Sequence, residues 1–125
     1  MQYPKRGEIY LVSLPAQPRD IKARPAIIVS LDVRNRLAGD VIVVPITTTL
    51  RPSPTHVELP KGEGGLDQIS MAKCEQITTL EKSFLIRSPF SGAISSRKID
   101  EIEKAIQIAI GMVPQNPMDK MDFMQ

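Results

Sequence analysis

The sequence predicts a mainly β fold of the α+β kind: a small, strongly bent antiparallel sheet or barrel, with one amphipathic helix packed on it near the C-terminus. Three observations carry that expectation. Short apolar runs recur along the chain with turn residues between them, which suits antiparallel strands better than alternating strand–helix units. Only one stretch has a helical period, and it comes late. The chain has 125 residues, 42% of them hydrophobic, which is one domain's length with enough apolar matter for one compact core.

The elements follow in order. Gly7 to Leu14 reads as a strand, with Ile9, Leu11 and Leu14 separated by Glu8, Tyr10 and Ser13. Pro15 to Ala23 has two prolines and mixed charges, so it reads as a loop. Arg24-Pro25 closes it, and the unbroken run Ala26–Val29 suits a strand buried on both faces. Leu31 to Asp40 reads as a polar connection ending in the turn signal Gly39-Asp40. Val41 to Ile46 is a second buried strand, with Pro45 marking a bend or an edge. Thr47-Thr48-Thr49 sits just past its end, and Arg51-Pro52-Ser53-Pro54 is a turn. His56 to Leu59 alternates like a half-buried strand. Gly62-Glu63-Gly64-Gly65 reads as a flexible loop, and Ser70 to Thr79 as one longer strand. Phe84-Leu85-Ile86 is a candidate last strand.

The helix is the clearest element. Ser95 and Ser96 are capping residues, and Ile99, Ile102, Ala105, Ile106, Ala109, Ile110 and Val113 recur at spacings of three and four. Asp100, Glu101 and Glu103 favour the positive end of its dipole. Pro114 stops it. Residues 1–113 are therefore expected to form a single domain, and the polar, Met-rich residues 114–125 a tail.

Composition narrows the function. Sixteen Lys+Arg against 14 Asp+Glu give a net charge of +2, which neither announces nor opposes a nucleic-acid partner. A single cysteine, Cys74, excludes an internal disulfide and a Cys-rich zinc site. A single histidine, His56, excludes acid–base work by a histidine pair within one chain. Two tyrosines, three phenylalanines and no tryptophan argue against gripping single strands mainly by stacking. No stretch approaches the roughly 18 apolar residues that span a bilayer. The N-terminus has no apolar run behind its charges, so it does not read as a secretory signal. The expected compartment is the cytoplasm.

Most catalytic signatures are absent: no Walker loop, no Gly-x-Gly-x-x-Gly, no nucleophile elbow and no His-Glu-x-x-His. The carboxylates are scattered, and no cluster suits magnesium; no metal and no cofactor are expected. His56 on its alternating strand reads as a structural or surface histidine. What remains is placement. Arg24 stands where a basic loop (Arg19, Lys22, Arg24) enters a buried strand, and Thr47 where the next buried strand runs out. If the two strands are neighbours, both groups lie at the rim of the sheet on a rigid base. A guanidinium fork matches phosphate oxygens, and a hydroxyl beside it donates to the same phosphate. Such a pair suits phosphodiester cleavage without a metal, in which an RNA 2′-hydroxyl attacks and charge builds on the phosphoryl oxygens. The plain alternative is that Arg-Pro before a strand is structural.

Several stretches together carry a resemblance. They are Lys5-Arg6-Gly7-Glu8-Ile9-Tyr10-Leu11-Val12, Arg24-Pro25-Ala26-Ile27-Ile28-Val29-Ser30, Asp32 with Asn35-Arg36, and Val43-Val44-Pro45-Ile46-Thr47. Thr55-His56-Val57-Glu58-Leu59, Gly64-Gly65-Leu66, Cys74-Glu75-Gln76-Ile77-Thr78-Thr79 and the closing helix complete the set. In this order they resemble the MazF/PemK-type toxins, the mRNA interferases of bacterial toxin–antitoxin modules, from Arg6 to about Met112. The resemblance implies an SH3-like, strongly bent β-barrel working as a homodimer. It implies sequence-selective cleavage of single-stranded RNA without metal, leaving a 2′,3′-cyclic phosphate and a 5′-hydroxyl, and neutralisation by a cognate antitoxin.

The family's arginine maps onto Arg24 and its threonine onto Thr47, the expected catalytic pair. The expected RNA-binding residues are Arg19, Asp20, Lys22, Thr48, Glu75 and Gln76. The loop before Arg-Pro lacks the glycines common in the family but keeps an acid, Asp20. Arg24 is expected to stabilise charge on the phosphorane and Thr47 to hold the phosphate. The base for the 2′-hydroxyl stays open among Arg24, Glu75 and water. An acidic antitoxin would meet Arg19, Lys22, Arg24, Arg51 and Arg87. Two alternatives remain: a CcdB-like toxin that binds gyrase and cleaves nothing, and an inactive binding member of the fold.

Overall fold

The structure, a computed structural model, describes residues 2–13, 23–87, 90 and 92–112. Seven strands and two α-helices are found among them: β1 (Ile9–Val12), β2 (Arg24–Ile28), α1 (Asp32–Leu37), β3 (Asp40–Thr47), β4 (His56–Leu59), β5 (Ser70–Lys73), β6 (Thr78–Glu81), β7 (Leu85–Arg87) and α2 (Ser96–Ala109). All strand pairings are antiparallel. The sheet runs β4-β5-β3-β2-β1-β7, with β6 beside the first half of β3. It is strongly bent, and among the described residues it stays open and is not realised as a closed ring.

The bend is built around β3. On one side Val43–Pro45 pair with β2. On the other, Asp40–Val43 pair with β6 and Ile46–Thr47 with β5. Val44 and Pro45 fall between those two partners. Proline has no N–H to give a ladder, so the gap between partners is where it fits. Pro45 is thus a bend residue in a central strand, not an edge residue.

Side chains alternate across the strands, and two apolar clusters form, one on each face. Ile9, Ile27, Val44, Ile46, Val57, Leu59 and Ala72 pack under α2 with Ile102 and Ala105. Val12, Ala26, Ile28, Val41, Val43 and Leu80 pack on the other face. The apolar runs in β2 and β3 are unbroken because each strand feeds both clusters.

Four expectations are corrected. The polar connection Leu31 to Asp40 contains α1. Asn35 is fully buried there; its amide donates to the Ser30 carbonyl oxygen at 2.9 Å, and its side-chain oxygen accepts from the Ser30 hydroxyl. The long strand Ser70 to Thr79 is broken by a 3₁₀ turn over Cys74–Gln76. The loop at Gly62–Gly65 is a 3₁₀ turn packed into the core. Gly64 has φ +59°, and a Cβ there would stand 2.7 Å from Ile9 Cδ1 and 2.9 Å from Ile94 Cγ2. Finally, α2 ends at Ala109; Val113 and the expected tail lie outside the described residues. At its start the Ser95 hydroxyl accepts the Lys98 N–H at 3.3 Å, as a cap should.

Candidate active site

The site begins with strand register. Arg24 opens β2 and is exposed. Pro25 behind it biases Arg24 to extended backbone, and pairing with Val12 of β1 holds it there. Ala26 lies opposite Pro45. Two residues along each strand, on that same face, come Arg24 and Thr47, the last residue of β3. The alternation continues across the sheet. Thr47 pairs with Met71, Met71 with Glu58, and Lys73 with His56. Arg24, Thr47, Lys73, His56 and Glu58 therefore share the face opposite α2.

Hydrogen bonds fix the rim. Thr47 Oγ1 accepts the Thr49 N–H at 3.1 Å. Glu75, on the 3₁₀ turn after β5, accepts from the Thr55 hydroxyl at Oε1 (3.0 Å) and from His56 Nε2 at Oε2 (3.1 Å). The other ring nitrogen, Nδ1, lies 2.5 Å from the Arg51 carbonyl oxygen. The His56 side chain is only 13% exposed, that of Glu75 38%. Burial pushes the Glu75 carboxyl up. Hydrogen bonds from its own backbone, from His56 and from Thr55 outweigh that and hold it below the ordinary carboxylate value. Nearby Cys74 is fully buried; burial, with the Glu75 charge adding, pushes its thiol up to about 12. Cys74 is therefore a packing residue and not a nucleophile.

The expected residues divide as follows. Arg24 and Thr47 come onto one face, and exposed Thr48 follows Thr47. Glu75 and Gln76 are exposed on a turn, not on a strand as read from the sequence. Arg19, Asp20 and Lys22 lie outside the described residues. Arg51 is exposed in the loop after β3, and Arg87 ends β7. His56, which the sequence suggests is structural or at the surface, is part of the same rim, and Lys73 joins it with no motif to announce it. A signal existed: Val57 and Leu59 point into the core, which sends His56 and Glu58 to the other face. Among the described residues no group of three or more His, Cys, Asp and Glu could hold a metal ion.

The family model for PemK-like, MazF-like toxins of type II toxin–antitoxin systems matches residues 5–110. The chain belongs to that toxin family. Endoribonuclease MazF of Staphylococcus saprophyticus is 36% identical to this toxin over 112 residues, covering 86% of this chain and 92% of that protein. A mycobacterial endoribonuclease solved in complex with its cognate antitoxin is 30% identical, with a TM-score of 0.74 over 89% of this chain and 98% of that one. MazF of Deinococcus radiodurans shares the fold at 18% identity, with a TM-score of 0.74 over 90% of this chain and 100% of that one. The matched span of the toxin includes Arg24, Thr47, His56, Lys73 and Glu75. On the opposite face the toxin has a cavity of about 440 Å³ between α2 and the sheet. Ile27, Ile42, Ile99 and Ile106 line it, with Arg6 and Glu103 at its rim.

Proposed function

We propose that this toxin is an endoribonuclease that cuts single-stranded RNA sequence-selectively, without a metal ion, and is neutralised by a cognate antitoxin. The observation that carries the reading is the shared face of Arg24 and Thr47, set by the β2–β3 register. The similarity to endoribonuclease MazF and to a mycobacterial endoribonuclease supports the ribonuclease class. The 2′-hydroxyl loses its proton and attacks the adjacent phosphorus; the P–O5′ bond breaks and the 5′-oxygen takes a proton. The products are a 2′,3′-cyclic phosphate and a 5′-hydroxyl. Arg24 supplies a fixed positive charge to the phosphoryl oxygens as negative charge builds on them. The Thr47 hydroxyl donates to the same phosphate, and Lys73 adds positive charge to the approach. Both Glu75 oxygens are already engaged, which favours water over Glu75 as acceptor of the 2′-proton; a guanidinium holding its charge on the phosphate has no acceptor site for it.

The working unit is a homodimer in the cytoplasm. An acidic antitoxin segment covers the cationic face around Arg24 and Arg51, with Arg19, Lys22 and Arg87 as further contacts. The test is incubation of a long single-stranded RNA with the protein in EDTA. Wild type cuts and leaves cyclic phosphate ends. Arg24→Ala loses about 10²–10³-fold in rate with its unfolding midpoint kept. Uncut RNA alongside gyrase-dependent DNA breaks would instead support a gyrase-binding toxin.

A further inference from the structure

Both ring nitrogens of His56 face acceptors. Nδ1 meets the Arg51 carbonyl oxygen and Nε2 meets a Glu75 carboxylate oxygen. A carbonyl and an ionised carboxylate have no proton to give, and a neutral imidazole has only one. Only the imidazolium satisfies both contacts. The bonds join two segments that flank Thr47. One is the loop 48–54, every residue of which is exposed, so little packing steadies it. The other is the turn Cys74–Gln76, whose Cys74 is anchored in the core.

We propose that His56 is a positioning residue: its imidazolium spans the Arg51 carbonyl oxygen and the Glu75 carboxylate, and so pins the loop that leaves Thr47 for cleavage of RNA. The inference rests on the ribonuclease reading above. When His56 loses a proton, one of its two contacts fails and the loop is released at one end.

The charged neighbours are few. Glu75 faces the ring from the turn. Lys73 stands opposite on β5, with Glu58 two residues along β4 on the same face. Arg51 lies in the loop itself. The backbone around His56 is held independently. Its N–H donates to the Ser53 carbonyl oxygen at 3.1 Å, and the Cys74 N–H donates to the Thr55 carbonyl oxygen at 2.9 Å. Replacing the side chain therefore leaves β4 in place.

His56 is the chain's only histidine, so its ring can be read without assignment in the ¹⁵N spectrum. At about pH 6, both ring nitrogens carry protons in wild type if the ring spans its two acceptors. Cleavage is compared between wild type and His56→Gln from about pH 6 to 8.5. The ratio of their turnover rates is about tenfold at the acid end and falls to within about twofold at the alkaline end, with KM for RNA changed less than about twofold. Taking the ratio cancels the pH dependence of the chemistry itself. If His56→Gln unfolds, His56→Asn takes its place in the comparison. A neutral, singly protonated ring at the acid end would overturn the proposal, and so would a ratio that stays constant with pH. If wild type leaves RNA intact while both nitrogens are protonated, the ribonuclease reading fails, and His56 is left as a fold contact only.

Discussion

Arg24 presents a planar fork of donors that matches phosphate oxygens. Its value to a phosphate therefore depends on where it is held, and Pro25 and Val12 hold it. Thr47 is different: its oxygen already accepts the Thr49 N–H, leaving its proton to point at a ligand. Thr47→Val is isosteric and removes that proton. We expect RNA cleavage to fall about 10–100-fold, with the thermal midpoint lowered by no more than a few degrees through loss of the Thr49 contact. A variant as fast as wild type would take Thr47 out of the site. His56 shows what residue-by-residue reading misses. On its own it is an ordinary histidine of an alternating strand. Its partner Glu75 lies 19 positions away, and no local pattern announces that contact.

At the scale of elements, Gly64 joins the turn after β4 to the core. Gly64→Ala forces a Cβ against Ile9 and Ile94 at a positive φ, and should cost about 1–3 kcal/mol by chemical denaturation. The same turn reaches α2. Glu63 Oε1 accepts the Ser95 N–H at 2.5 Å. That hydrogen bond, with Lys98 and Arg97 adding, lowers its carboxyl below the ordinary value. A lowered acid stabilises the fold above its unfolded pKa, and that contribution is lost as pH falls through the folded one. Glu63→Gln should accordingly lower stability near neutrality, by about 1 kcal/mol, and much less in acid. Denaturation at two pH values measures the difference.

The strands and α2 were legible because β2, β3 and β4 carry unbroken or alternating apolar runs and α2 a clean stripe. α1 was not, because a buried amide, Asn35 on Ser30, anchors it while Leu31, Val33 and Leu37 stay exposed. The break at Cys74 was hidden because no glycine or proline marks it between Ser70 and Thr79. The shared face of Arg24 and Thr47 was legible in outline, since consecutive strands are usually adjacent in space.

At the scale of the whole molecule, the two apolar clusters share one sheet. Ile27 feeds the cluster under α2 and Ala26 and Ile28 feed the other; Val44 and Val43 divide in the same way. Neither cluster can come apart without disturbing β2 and β3. Ile102→Ala, under α2, and Leu80→Ala, on the far face, should each cost about 2–5 kcal/mol. In both variants helix content and sheet signals should be lost in one transition with a common midpoint. Separate midpoints for the two probes would show that the clusters unfold independently.

The β2–β3 pairing has one more consequence. Side chains on a strand swap faces with every single-residue step. A slip of one position would send the Thr47 hydroxyl to the helix side while Arg24 stayed where it is. On the ribonuclease reading, activity would thus depend on correct registration of β2 and β3, and a newly made chain would carry every needed part yet remain innocuous until those two strands paired.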